Sequence, residues 1–102
     1  LGLGGFMNGS GREYARHNVT ANAMLTGIFA TETQVAFGHE LARRSGKPFE
    51  EVWKEREATN AAGRFGRPEE MAALCAFLCS AHAGFITAQN ILIDGGGYPG
   101  VF

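Results

Sequence analysis

The hydrophobic pattern is clearest between residues 68 and 80, where apolar side chains recur at helical spacing. Pro68 suits the first turn of a helix, and the two carboxylates that follow it complement the positive end of the helix dipole. The apolar stripe behind them consists of Met71, Leu74, Cys75, Leu78 and Cys79. The pattern predicts a helix over 68–80 with this stripe, including both cysteines, buried against the rest of the fold.

Two short apolar runs are typical of buried strands. The run at 19–27 contains β-branched residues and stops at Gly27, and the run at 90–94 stops at three consecutive glycines. Because helical sequence separates the two runs, we expect the strands to pair in parallel through a crossover connection. Two parallel strands alone do not make a stable sheet, because parallel sheets need cover on both faces. The sequence therefore predicts a βαβ edge of a larger α/β sheet, incomplete on its own.

Helical spacing also occurs before and between the strands. Residues 1–17 place apolar side chains at helical positions but carry five glycines, and each interior glycine costs about 0.5–1 kcal/mol relative to alanine. This helix is expected to form only through close packing, and the chain to begin inside it. Residues 31–58 predict two polar helices separated by a turn that ends at Pro48. They lack a continuous apolar stripe, which favours a mobile flap.

Composition narrows the classes of function. The 102 residues are 45% hydrophobic and 19% charged, and the formal net charge is −1. These values suit one globular segment and exclude the basic face that nucleic-acid binding requires. No apolar run approaches the roughly 20 residues of a membrane-spanning helix. Two cysteines are too few for a disulfide scaffold, so a reducing cytoplasmic location is expected. Because the chain has neither a basic face nor a membrane-spanning run, we expect neither a nucleic-acid nor a membrane partner.

Three segments carry a family resemblance. Residues 18–31 resemble the pattern RVNxxxPGxxxT of short-chain dehydrogenases/reductases, and residues 63–72 resemble their pattern GRxGxPEExA. Residues 77–96 are similar to the family's segment FLxSxxxxxITGQxxxVDGG. The resemblance spans essentially the whole chain, but it corresponds only to the carboxyl-terminal part of that family.

The resemblance implies a doubly wound Rossmann-type sheet and an activity for the complete protein. That activity would interconvert a small carbonyl compound and a secondary alcohol with NAD or NADP as cofactor. Residues 31–58 would form a substrate lid, and residues 1–17 the end of an oligomer-interface helix. The residues that would bind the nicotinamide end of the cofactor are Thr26, Gly27, Phe29 and Thr31.

Two parts of the family's chemistry are missing from the sequence. No tyrosine is followed four positions later by a lysine, so the chain holds no catalytic pair of the type Tyr-x-x-x-Lys. The glycine pairs 2/4 and 9/11 also lack the third glycine of a pyrophosphate fingerprint, and neither pair follows a predicted strand. We expect the chain alone to bind no cofactor and to be inactive, with the amino-terminal Rossmann portion or further copies of itself as partner. Thr26 also replaces the family's proline, and Ala88 replaces a glycine, which matters if a positive φ is needed there.

Simpler interpretations stand beside these assignments. In the simpler interpretation, Thr31 serves only as the N-cap of the helix that follows it. Trp53 would either pack in the core or line a substrate pocket, and core packing is the simpler expectation. The alternative function for the whole chain is a stand-alone, non-catalytic module that self-associates through its glycine-rich helix.

Two other kinds of site have matching residue types but weak patterns. Cys75, Cys79 and His82 have helical spacing for metal ligands, yet without a fourth ligand we expect buried thiols and no metal site. Ser80, His82 and Asp94 are the residue types of a hydrolase triad, but no nucleophile motif accompanies them. Asp94 fits a structural turn better, because it ends a strand before glycines.

Overall fold

The computed structural model describes residues 2–99, and side chains from residue 5 onward; Leu1, the first position of the predicted first helix, lies outside that range. The elements are α1 (Gly2–Tyr14), a 3₁₀ turn (Ala15–His17), β1 (Ala23–Thr26), α2 (Glu32–Ser45), α3 (Phe49–Glu57), α4 (Pro68–Leu78), a 3₁₀ turn (Ala81–Ala83) and β2 (Asn90–Ile93). None of the described helices is both long and apolar enough to cross a membrane. The radius of gyration is 16.9 Å, whereas a compact domain of 100 residues has about 13 Å. The described chain is therefore elongated.

The two strands pair in parallel, as the sequence predicts. Ala23 lies opposite Asn90 at one end of the ladder, and Thr26 lies opposite Ile93 at the other end. Within residues 2–99 these strands form a two-stranded sheet, with α2, α3 and α4 in the connection between them. The predicted α/β class with a βαβ arrangement is confirmed.

β1 is shorter than the strand predicted over 19–27. The cause lies in the facing segment, where Ala88 has a φ of 59°. This left-handed conformation interrupts an extended backbone, so regular pairing starts only at residue 23. Ala88 is also the position where the sequence departs from the family's glycine, and the structure shows that the backbone does take a positive φ there.

α1 approaches the sheet closely at Gly11. A Cβ atom on Gly11 would lie 2.8 Å from the backbone nitrogen of Ala88 and 2.9 Å from the carbonyl oxygen of Ala21. Atoms at these distances overlap, so any side chain at this position would push the helix off the sheet. Not every glycine of α1 is needed for this packing, because a Cβ at Gly9 would have nothing within 4 Å.

Four aromatic rings from α2, α3 and the loop before α4 form one continuous stack, which we call the ring stack: His39, Phe49, Trp53 and Phe65. Successive ring centres are 4.0, 5.3 and 3.8 Å apart. Phe65 is 5% exposed, as is Val52 on the same helix as Trp53. Trp53 therefore packs against other rings, in agreement with the simpler expectation. Residues 31–58 contribute most of this stack, so the segment has a packed part, and its mobility stays a prediction.

α4 begins at Pro68 as predicted and ends at Leu78, two residues earlier than expected. None of its residues is buried, and Phe77 on its surface is 46% exposed. Cys75 and Cys79 are both exposed, so the prediction of buried thiols is wrong. An apolar stripe is buried only as far as another apolar surface covers it, and the described residues cover this one in part, because Met71, Leu74 and Leu78 are half-buried.

Candidate cofactor-binding site

The segment 26–31 carries the chain from the carboxyl end of β1 to the start of α2, and we call it the connection. Ligands of open parallel sheets bind beyond this end of the strands. The connection contains the four residues assigned from sequence, namely Thr26, Gly27, Phe29 and Thr31. Thr26 is the last residue of β1 and is exposed.

The middle of the connection is fixed by a short parallel bridge between Phe29 and Gly66. The Gly66 N–H donates to the carbonyl oxygen of Ile28 at 3.0 Å, and the Ala30 N–H donates to the carbonyl oxygen of Gly66 at 2.8 Å. In a parallel bridge, a residue on one strand bonds to the two neighbours of the residue opposite it and not to that residue itself. The N–H of Phe29 itself therefore faces away from the bridge.

The Phe29 side chain packs on Gly66 and is 5% exposed. A Cβ atom on Gly66 would lie 2.6 Å from the Phe29 ring, so glycine is needed there. Because the ring is used in this packing, a ligand at the connection would meet the backbone of Phe29 and not its side chain.

Thr31 caps α2, which is the simpler role considered from the sequence. Its hydroxyl oxygen accepts a hydrogen bond from the Gln34 N–H at 3.3 Å, and its carbonyl oxygen accepts from the Val35 N–H at 2.9 Å. A hydroxyl has two lone pairs and one proton. The cap uses one lone pair, so the Thr31 proton and the second lone pair stay available for a ligand.

Gly27 is required by the strand that faces it. A Cβ atom on Gly27 would lie 2.8 Å from Cα of Asp94, which directly follows β2. Asp94 makes a turn, because its carboxylate accepts from the N–H groups of Gly96 at 3.1 Å and Tyr98 at 2.8 Å. This close approach explains the glycine without any ligand.

An ion pair holds the loop that carries Gly66. The Arg64 guanidinium donates to both carboxylate oxygens of Glu70, at 2.7 and 3.0 Å, and the Arg67 backbone N–H donates to the same carboxylate at 2.9 Å. These hydrogen bonds, the one from Arg64 first, lower the pKa of Glu70 from 4.5 to about 2. Glu70 is therefore charged at neutral pH and ties the loop to the first turn of α4.

Two small cavities flank the connection. Their volumes are about 130 and 270 Å³, and both are lined by Ile28, Asn60 and Asp94. Ligand pockets usually measure about 300–1,000 Å³. A ligand as large as a dinucleotide would need further walls besides those of the connection.

Sequence reasoning missed the contacts of Arg56. Its guanidinium lies 5.1 Å from the centres of both the Phe37 and the Phe65 rings, and it donates to Gln34 in α2. The spacing of Phe49, Trp53 and Arg56 on one face of a helix was the available signal. The partners themselves come from two distant segments, which the spacing does not identify.

The other sites weighed from the sequence do not assemble among the described residues. No group of three or more histidine, cysteine or acidic side chains there has metal-binding geometry. Ser80 donates to the carbonyl oxygen of Phe77 at 2.6 Å, and the Asp94 carboxylate accepts backbone N–H groups. Both side chains therefore serve local turns and not a hydrolase triad.

Comparisons with known proteins identify relatives of this chain. A family model described as enoyl-(acyl carrier protein) reductase matches residues 1–97. L-2,3-Butanediol dehydrogenase of Corynebacterium glutamicum is 36% identical over 92 residues, which are 90% of this chain and 36% of that protein. The chain thus spans about a third of the length of the curated relatives that it matches.

Solved structures match over the same region. A short-chain dehydrogenase family protein from Francisella tularensis has a TM-score of 0.88 at 26% identity. That match covers 93% of this chain and 39% of the Francisella chain. YwfH, an NADPH-dependent reductase involved in bacilysin biosynthesis, has a TM-score of 0.86 at 29% identity. That match covers 97% of this chain and 37% of the YwfH chain.

Proposed function

Because this chain belongs to the short-chain dehydrogenase/reductase family, we propose that it forms the carboxyl-terminal third of an oxidoreductase dependent on NAD or NADP. The enzyme interconverts a small carbonyl compound and a secondary alcohol. Support for this substrate class comes from the relative in Corynebacterium glutamicum, which is named for a diol. Support for the cofactor comes from YwfH, which is described as NADPH-dependent.

The geometry of the connection carries the proposal. The backbone N–H of Phe29 faces away from the Gly66 bridge, and two residues later the Thr31 hydroxyl retains a proton and a second lone pair that its capping bond does not use. The carbonyl oxygen of the nicotinamide carboxamide can accept from the Phe29 N–H, and its amino group can donate to the second lone pair of the Thr31 hydroxyl. The bound dinucleotide exchanges a hydride with the substrate carbon. In this proposal Phe29 and Thr31 contact the carboxamide, while Thr26 and Gly27 set the direction of the connection.

The remaining chemistry comes from the amino-terminal Rossmann portion of the enzyme. The sequence of this chain lacks a Tyr-x-x-x-Lys pair for proton transfer, and among the described residues no glycine fingerprint leads from a strand into a helix that could hold the pyrophosphate. The connection offers two or three hydrogen bonds, each with a net contribution of about 0.5–1.5 kcal/mol. These do not offset an association cost of about 4 kcal/mol or more. The chain alone is therefore inactive and binds no dinucleotide tightly.

Two further roles belong to the same proposal. Residues 31–58 cover the substrate, because α2 starts directly at the connection and the ring stack holds α3 against α2. α1 belongs to an oligomer interface, since Phe6 on its surface is 68% exposed. The cytoplasm is the proposed location, because both cysteines are free and exposed and such thiols persist in a reducing compartment.

One observation favours a second function, that of a non-catalytic module that self-associates. Phe6 and Phe77 are exposed on α1 and α4, and a second copy of the chain would cover them as well as an amino-terminal portion would. This alternative predicts no cofactor binding under any condition.

Calorimetric titration with NADH and NADPH separates the two functions. The protein for this test is a fusion of the amino-terminal two thirds of the Corynebacterium glutamicum relative with this chain. We expect micromolar binding to the fusion and none to the 102-residue chain. Micromolar binding to the chain alone would overturn the proposal, and binding to neither protein would favour the non-catalytic module.

Thr31→Val in the fusion tests the connection itself. The variant removes the hydroxyl and should weaken the cofactor roughly fivefold, while the binding of ADP-ribose, which lacks nicotinamide, stays unchanged. Thr33→Val is the matched control, because it makes the same change at an exposed position two residues later, in the first turn of α2. If the two variants behave alike, Thr31 does not contact the nicotinamide.

A further inference from the structure

Arg56 lies in α3, outside the connection, yet it contacts groups on both flanks of it. Its guanidinium donates to the carbonyl oxygen of Gln34 at 3.4 Å and also to the side-chain oxygen of Gln34. The same guanidinium lies over the Phe65 ring, 5.1 Å from its centre. Gln34 and Phe65 each have a direct link to a residue of the connection.

The first link runs through the cap of α2. The Gln34 N–H donates to the hydroxyl oxygen of Thr31 at 3.3 Å. Because Arg56 binds both the side chain and the carbonyl of Gln34, it restrains the backbone that directs this N–H. The orientation of the Thr31 hydroxyl therefore depends on Arg56.

The second link runs through the bridge to the connection. Phe65 directly precedes Gly66, whose backbone pairs with the two neighbours of Phe29. The guanidinium covers one part of the Phe65 ring and Trp53 stacks on it with centres 3.8 Å apart. A fixed Phe65 fixes Gly66, and through it the direction of the Phe29 N–H.

The partners of Arg56 differ from those of an arginine on the neighbouring helix. Arg43 of α2 pairs with the carboxylate of Glu40 on its own helix. Arg56 makes no ion pair among the described residues; its partners are a neutral amide and two aromatic rings. Its planar fork can bond Gln34 twice while its face lies on a ring, which a lysine ammonium cannot do. The arrangement restrains geometry and is not a surface ion pair.

Resting on the function proposed above, we propose that Arg56 is a positioning residue for nicotinamide binding. It joins the lid helix α3 to both halves of the connection, so that the Thr31 hydroxyl and the Phe29 N–H are presented together. Arg56 does not contact the cofactor. Its effect is confined to the nicotinamide end, because the adenine and pyrophosphate sites lie in the amino-terminal portion.

The test uses the fusion protein and compares two ligands that differ in the nicotinamide ring. Arg56→Met keeps an apolar stem against the rings but removes the guanidinium. We expect the dissociation constants of NADH and NADPH to rise about fivefold, and those of ADP-ribose and its 2′-phosphate to stay within twofold. Arg43→Met is the matched control and should change none of the four constants.

Two further variants separate positioning from general structural support. In a Thr31→Val background, Arg56→Met should add less than a twofold loss, because both changes act on the same hydroxyl. Arg56→Lys should fail to restore binding, since it retains the charge without the fork. If Arg56→Met does not fold, Gln34→Leu breaks the same link from the other side and should give the same selective loss.

The outcomes distinguish this inference from the function on which it rests. If Thr31→Val weakens NADH selectively and Arg56→Met has no effect, the role of Arg56 is overturned and the function stands. Equal weakening of NADH and ADP-ribose by Arg56→Met, or full additivity with Thr31→Val, also overturns the role of Arg56. If Thr31→Val itself leaves NADH binding unchanged, the proposed function fails first.

Discussion

The ring stack and α4 contain similar apolar side chains in very different surroundings. In the ring stack, Phe65 is 5% exposed and lies face to face with Trp53. In α4, Phe77 is 46% exposed and neither cysteine is covered. The rings come from three segments that close on one another within residues 31–66, whereas the stripe of α4 is covered only in part.

This difference shows which part of the chain can hold itself together. The ring stack buries its apolar surface against other parts of the same chain, and hydrophobic stabilisation scales with the area removed from water. α4 and the two strands leave such area exposed. We infer that the ring stack holds the connection in place in the chain alone. The packing around β1, β2 and α4, which we call the sheet layer, is completed by the amino-terminal portion.

The largest expected effect comes from removing a buried ring and an exposed ring in parallel. Phe65→Ala should destabilise the chain by about 3–5 kcal/mol, because it leaves a cavity against Trp53. Phe85→Ala is the matched control, since Phe85 is fully exposed, and should change stability by at most about 0.5 kcal/mol. Urea unfolding followed by the fluorescence of Trp53, the chain's one tryptophan, measures both. Equal losses would show that the ring stack is not the stable region.

Two glycines give the next comparison. Gly66→Ala would place a Cβ atom 2.6 Å from the Phe29 ring and should cost about 1–3 kcal/mol. Gly9→Ala in α1 meets nothing within 4 Å and should stabilise its helix by about 0.5–1 kcal/mol. Urea midpoints of the two variants should move in opposite directions. A neutral Gly66→Ala would mean that the bridge to the connection is loose.

The left-handed residue beside α1 offers a smaller effect of opposite sign. Ala88→Gly removes the strain of a φ of 59°, which costs a non-glycine residue about 1–2 kcal/mol. Glycine loses more entropy on folding, so a net gain of about 0.5–1 kcal/mol is expected. The midpoint of urea unfolding should therefore be higher for the variant than for wild type. A fall would indicate that the Ala88 methyl group makes a contact worth more than the strain.

The smallest expected effect concerns pH. The pKa of Glu70 is lowered from 4.5 to about 2 in the folded chain. A lowered pKa stabilises the fold above the unfolded value and the contribution is lost as the pH falls. Wild type should therefore exceed Glu70→Gln in stability at pH 7, and the difference should shrink from pH 4.5 toward pH 2. Glu69→Gln, at a position without an ion pair among the described residues, is the control.

The elements that local sequence determines were predictable. Pro68 and the carboxylates after it identify the start of α4, and the run after Gln89 identifies β2 within one residue. The capping role of Thr31 was also among the possibilities, because threonine before a polar helix commonly caps it. These features depend on neighbours within a few positions.

The features that depend on distant segments were not predictable. Phe65 and Phe49 are 16 positions apart in sequence, and nothing local shows that Trp53 joins them in one stack. The burial of Cys75 was predicted wrongly, because a helical stripe shows which face is apolar but not whether anything covers it. Of the candidate site, the residues were identified by resemblance, and the backbone directions came from the structure.

Hydrogen exchange of the chain alone and of the fusion tests the central claim most directly. The account predicts that in the chain alone the amides around Val52 in α3 exchange more slowly than those around Leu74 in α4, because only the former lie in a buried layer. In the fusion, β1 and α4 should become strongly protected while α3 changes little. The account is contradicted if α4 is already the slowest-exchanging region in the chain alone, or if α4 gains no protection in the fusion. Either result would show that the ring stack is not the part of the chain that packs by itself.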